Sequence, residues 1–87
     1  MSDVTFEIID NGITKPLTYK GDLTVEDFIK DYLKNNTDYV SLSTEVYVFR
    51  LGSKILNTEK YLSKKLNEII RTGCRFTLVR KYSFQYA

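Results

Sequence analysis

Val4-Thr5-Phe6-Glu7-Ile8 alternates apolar and polar residues, the period of a half-buried strand with Val4, Phe6 and Ile8 on one face. Asp10-Asn11-Gly12 follows, and residues of this kind tolerate the left-handed backbone of a hairpin turn. The pattern returns as a second strand over Ile13 to Lys20. Pro16 lies inside it and lacks a backbone donor, so this strand is expected at a sheet edge. Thr24 then reads as a helix N-cap, with Glu26 and Asp27 where negative charge suits the positive end of the helix dipole. Val25, Phe28, Ile29, Tyr32 and Leu33 recur at helical spacing and form one apolar stripe, which Asn35-Asn36 ends.

Beyond a polar connection over residues 37–44, a third strand is predicted from Glu45 to Leu51. Val46 and Val48 share one of its faces; Tyr47, Phe49 and Leu51 share the other. Gly52-Ser53 turns the chain into a short fourth strand at Lys54-Ile55-Leu56. Tyr61, Leu62, Leu66, Ile69 and Ile70 predict a short second helix. Arg71-Thr72-Gly73 is a turn into the last strand, Arg75 to Val79, with Phe76 and Leu78 inward. A strand pair, a helix and a second strand pair fit one α+β domain over residues 1–87, a sheet of four to five strands packed on one main helix.

Three segments carry a resemblance to the ubiquitin-like (β-grasp) family. Thr24-Val25-Glu26-Asp27-Phe28 is similar to that family's helix start, and Val48-Phe49-Arg50-Leu51-Gly52-Ser53-Lys54-Ile55-Leu56 to its third strand, glycine turn and fourth strand. Ile70-Arg71-Thr72-Gly73-Cys74-Arg75-Phe76-Thr77-Leu78-Val79 resembles its final turn and strand. The similarity is one of pattern and order over residues 4–82, and the stretch 57–69 is longer than in ubiquitin. It implies a β-grasp roll that works on other proteins. It also implies that Phe49 and Val79 occupy positions where ubiquitin exposes apolar residues on a receptor-binding sheet face, with Thr77 between them. By alternation Phe49 points away from Val48 and Val79 away from Leu78, so the residue pattern and the resemblance agree that both face outward. Lys54, Arg80 and Lys81 are expected to rim this patch.

Composition narrows the function classes. The chain has 87 residues, a net charge of +2, one cysteine and no histidine. Without histidine the commonest general base and metal ligand is missing, and Cys74 alone makes neither an internal disulfide nor a structural zinc site. Gly52 and Gly73 stand singly, so no phosphate-cradling glycine loop is present. Neither an enzyme nor a cofactor is expected. The first residues lack the basic and apolar regions of a secretory signal, and no apolar run approaches membrane-spanning length, so a cytoplasmic or nuclear location is expected. Charge is uneven: residues 1–48 carry −5 and residues 49–87 carry +7. A basic half can attract nucleic acid or an acidic surface, but no nucleic-acid motif accompanies it.

The expected function is therefore a non-catalytic interaction domain, monomeric, that binds other proteins and neither membrane nor nucleic acid. One alternative is a conjugated protein modifier. Conjugated members of the family end in Gly-Gly, whereas no glycine follows Gly73 here, so conjugation would need a longer precursor or unconventional chemistry. The other alternative is a basic-face binder of nucleic acid or acidic surfaces. Tyr82, Phe84 and Tyr86 continue the parity of Phe76 and Leu78. They are expected to extend the core or to offer an aromatic strand for edge pairing, including dimerisation.

Overall fold

The computed structural model describes residues 3–81. The aromatic tail residues Tyr82, Phe84 and Tyr86 lie outside this range. Strands β1 (Asp3–Asp10) and β2 (Ile13–Lys20) form an antiparallel hairpin with Asp10 across from Ile13. Asn11 and Gly12 both take positive φ, 55° and 81°, as a two-residue turn matched to strand twist requires. Helix α1 (Val25–Asn36) follows. Its first turn is capped by the Thr24 hydroxyl, which accepts from the Asp27 amide at 3.1 Å. The chain continues through β3 (Tyr47–Leu51), β4 (Lys54–Ile55), the short helices α2 (Glu59–Leu62) and α3 (Leu66–Ile69), and β5 (Arg75–Arg80).

The five strands lie in the order β2-β1-β5-β3-β4. The β1–β5 pair is parallel and the others antiparallel, so the sheet is mixed. β2 is an edge strand, where the missing N–H of Pro16 costs no ladder bond. The helix stripe Val25, Phe28, Ile29, Tyr32 and Leu33 is buried across one side of the sheet. Phe28 sits at the middle of an aromatic cluster, with ring centroids 5.5 Å from Phe6, 5.7 Å from Phe76 and 6.2 Å from Phe49. Burying side chains of this size stabilises by roughly 1.5–3 kcal/mol each, so the aromatic cluster is a leading contribution in a chain this short.

Two expectations are corrected. The third strand begins at Tyr47, after a turn in which the Val46 and Tyr47 amides both donate to the Ser43 carbonyl, and its faces are reversed. Tyr47 and Phe49 are wholly buried, and Val48 lies on the opposite side. Register is the cause. Phe49 lies across from Leu78 and Val48 across from Val79, and residues directly opposite one another in a sheet project to the same side. Leu78 points to the core, so Phe49 does too. Two aromatic rings also remove more apolar surface from water than two valines.

The second correction concerns the predicted single helix over Tyr61 to Ile70, which is two short helices. Between them the chain turns at Ser63 and becomes extended at Lys65, where it locks onto the start of α1: the Val25 amide donates to the Lys64 carbonyl, and the Leu66 amide to the Leu23 carbonyl, both at 2.8 Å. The first of these satisfies an N-terminal amide that a helix cannot pair internally, so the break caps α1.

Candidate functional site

The two sides of β3 and β5 carry different chemistry. On the helix side, Asp10 is 2% exposed at the end of β1. Its carboxylate accepts from Tyr32 Oη at 2.6 Å and from Arg80 Nε and Nη2 at 3.0 and 2.9 Å, with Lys15 Nζ 3.8 Å away. Arg80 Nη2 also reaches the carbonyl of Asn36, the last residue of α1, at 3.4 Å. Burial alone would push the Asp10 carboxyl up. The hydrogen bonds from Arg80 and Tyr32, with the charges of Arg80 and Lys15, outweigh it and hold the group below the ordinary carboxylate range. Burial and the bond to Asp10 both push the Tyr32 phenol up. This cluster ties β1, β5 and the end of α1 together.

A second buried polar side chain holds the start of β3. Asn57 Oδ1 accepts from the Phe49 amide at 3.1 Å, and Asn57 Nδ2 donates to the Tyr47 and Leu42 carbonyls at 2.8 and 3.2 Å. Where β4 stops, this amide takes over the hydrogen bonding of a strand.

No helix among the described residues covers the outer side of the sheet, away from α1. β3 contributes Val48 and Arg50, and β5 contributes Arg75, Thr77 and Val79. Thr77 is central, with Arg50 across from it on β3 and Ile9 beside it on β1. Val79 is 38% exposed, and its cross-strand neighbour Val48 is half-buried. Arg75 is held by Glu7 of β1, with Nε 2.9 Å and Nη2 2.8 Å from Glu7 Oε1. Arg50 is exposed and makes no side-chain hydrogen bond or ion pair among the described residues. Arg50, Gly52, Arg75, Thr77 and Val79 line a shallow depression of about 350 Å³.

The six residues expected at the patch therefore separate. Val79 and Thr77 lie on the outer face, and alternation sets the exposed Lys81 on the side of Val79. Phe49 does not belong to the face: it is 0% exposed, in the core. Arg80 lies across from Tyr47 on the helix side and is engaged by Asp10. Lys54, at the β3–β4 turn, lies across from Leu51, whose side chain packs on the core, so register sets it on the side away from Val79. Val48, Ile9 and Arg50 take the places of the three that leave. The face is legible only once strand register is known, because alternation defines two sides and does not say which is covered.

Other chemistry is sparse. Among the described residues no group of three or more His, Cys, Asp or Glu could hold a metal ion. Cys74 is half-buried, with its Sγ 3.4 Å from the Arg71 amide. No helix among the described residues is long and apolar enough to cross a membrane.

No protein-family model matches the sequence, and no curated protein matches it significantly. Solved structures do match. The ubiquitin-like domain of yeast Ddi1 superposes with a TM-score of 0.70 at 16% identity, covering 95% of this chain and 94% of that one. Ubiquitin of Caldiarchaeum subterraneum superposes with a TM-score of 0.68 at 12% identity, covering 97% and 100%. The crystal structure of ATBAG1 in complex with HSP70 contains a chain that superposes with a TM-score of 0.62 at 6% identity, covering 88% of this chain and 40% of that one. With the strand order, the parallel central pair and the helix packed across one side, these likenesses establish that this chain has the ubiquitin-like β-grasp fold.

Proposed function

We propose that this chain is a non-catalytic ubiquitin-like interaction domain that binds a protein partner through the outer face of β1, β5 and β3. The observation that carries this reading is the Val48–Val79 pair. Two aliphatic side chains stand opposite one another on a sheet face that no described helix covers, while the other side of the same strands is closely packed. Aliphatic side chains ringed by polar and charged ones have the anatomy of a protein-binding patch. A similarly folded chain is found in a complex with another protein, ATBAG1 with HSP70. The proposed place of action is the cytoplasm or nucleus, where a lone thiol such as Cys74 stays reduced.

The test is a comparison of two variants as baits in extract from the native cells. Val79→Asp puts a charge into the patch. Ile13→Ser alters the most exposed large apolar residue among the described residues, 59% accessible, which sits at the β1–β2 turn. Proteins retained by wild type and Ile13→Ser but lost by a folded Val79→Asp are the expected result. Retention of the same proteins by all three would reject the sheet face.

A further inference from the structure

Tyr82, Phe84 and Tyr86 follow β5 and keep the parity of Leu78 and Arg80, with Ser83 and Gln85 between them. Aromatic and polar residues in strict alternation have the period of a strand covered on one side. These residues lie outside the described ones, but the place from which they leave does not. Arg80 is across from Tyr47, and the Lys81 amide donates to the Val46 carbonyl at 2.8 Å. β3 gives no ladder beyond that point, because the Val46 and Tyr47 amides turn back onto the Ser43 carbonyl. β1 has already ended at Asp10, across from Leu78. The surface at this end of the sheet is the connection from α1 to β3. The Tyr47 hydroxyl draws that connection in, donating to the Tyr39 carbonyl at 2.6 Å. Tyr39 and Val40 are 47% and 45% exposed there, two of the four exposed large apolar residues among the described ones.

We infer that the segment following Lys81 straps the α1–β3 connection of its own chain, with the rings of Tyr82 and Phe84 packed on Tyr39 and Val40. The inference is independent of the sheet-face reading above. Side-chain direction supports it first. Tyr82, two residues beyond Arg80, projects to the side of Tyr47, and Tyr47 is bonded to residue 39. Reach supports it next, since six residues in extended form span about 20 Å. The bond from Lys81 to Val46 tethers the segment beside this surface, at an effective concentration on the order of millimolar for a short linker. A second molecule at micromolar concentration competes poorly with that. The chemistry also fits. Residues 82–87 carry no charged side chain, so no ion is desolvated when the segment packs. Aromatic rings gain by contact with another ring and with aliphatic carbon, and Ser83 and Gln85 are left facing water.

The experiment is NMR on the isotope-labelled full chain. Nuclear Overhauser contacts are expected from the ring protons of Tyr82 and Phe84 to the Val40 methyls and the Tyr39 ring. A sample mixing labelled and unlabelled copies is expected to show none of these contacts between copies. Replacing Tyr82→Ser and Phe84→Ser together removes the ring currents, so the Val40 methyl resonances are expected to move toward their unstructured positions while those of Val79 stay in place. Val40→Asp, at an exposed position, makes the reciprocal test and is expected to shift the ring resonances of Tyr82 and Phe84. Absence of the contacts would overturn the inference, as would Val40 methyls that do not move in the folded double variant. Ring resonances unchanged by Val40→Asp would overturn it as well. Contacts found only between copies would overturn it in favour of strand exchange with a second copy.

Discussion

On the inner side of β3 and β5, Phe49 packs against the aromatic cluster and Arg80 is clamped by Asp10. On the outer side of the same two strands, Val48 and Val79 face each other and Arg50 has no partner among the described residues. Both sides present aliphatic or aromatic carbon followed by an arginine. What separates them is whether α1 lies above. Under the helix the buried Asp10 carboxylate and Tyr32 hydroxyl need partners inside the protein, and they find them in each other, with Arg80 and Lys15 reaching in from the surface. On the open side water serves instead, so Arg50 needs no partner inside the protein.

The largest effect that tests this contrast is expected from Phe49→Ala, which should destabilise by about 4 kcal/mol through lost burial and the cavity left among the rings. Chemical denaturation measures it, and a loss within experimental error of zero would mean that Phe49 is not in the core. Arg80→Ala comes next. It leaves the Asp10 carboxylate buried with only Tyr32 and the more distant Lys15, an expected loss of about 3 kcal/mol.

The same cluster predicts a pH dependence. The native Asp10 carboxyl lies below its ordinary range, so the unfolded chain binds its proton first as pH falls. The stabilisation is therefore complete above the ordinary carboxylate pKa of about 4 and drains away as pH drops below it. Denaturation midpoints taken between neutral and strongly acid pH should fall less steeply in Asp10→Asn than in the wild type. An equally steep fall would place the acid sensitivity elsewhere.

A smaller loss, about 2 kcal/mol, is expected for Asn57→Ala, which strands the Phe49 amide and the Tyr47 carbonyl. Faster hydrogen exchange at Phe49 would locate the damage. Last, Arg50→Ala should change stability by less than about 0.5 kcal/mol, since it removes a side chain with no partner among the described residues. A larger loss would mean that the Arg50 side chain supports the fold.

Much of this architecture can be read along the chain. The strand at Val4–Ile8, the Asn-Gly hairpin, Pro16 on an edge strand, the Thr24 cap and the buried stripe from Val25 to Leu33 all follow from local geometry and spacing. Of the candidate site, Thr77 and Val79 were placed on the outer side by their alternation with Phe76 and Leu78. Phe49 and Arg80, expected at the same face, lie on the inner side instead, for different reasons. Phe49 lies in a strand apolar at nearly every position, so its pattern has no phase of its own until pairing with β5 supplies one. Arg80 has the inward parity of Leu78, yet a charged residue suggests solvent unless its buried partner is known, and Asp10 is 70 residues away. Asp10 itself reads as a turn residue, which it also is.

The sequence by itself therefore determined the order of the strands and the main helix, that helix's covered stripe, and the exclusion of histidine-based chemistry. These depend on residue type and on neighbours a few positions away. Only the tertiary structure decided which side of β3 is core, that Asp10 and Arg80 are mates, and that Arg50 stands across from Thr77 with no side-chain partner among the described residues. Each of these is a relation between segments far apart in the chain. Hydrophobic periodicity carries the period of a strand but not its register, and it is register, set by pairing and by the helix above, that assigns a side chain to protein or to water.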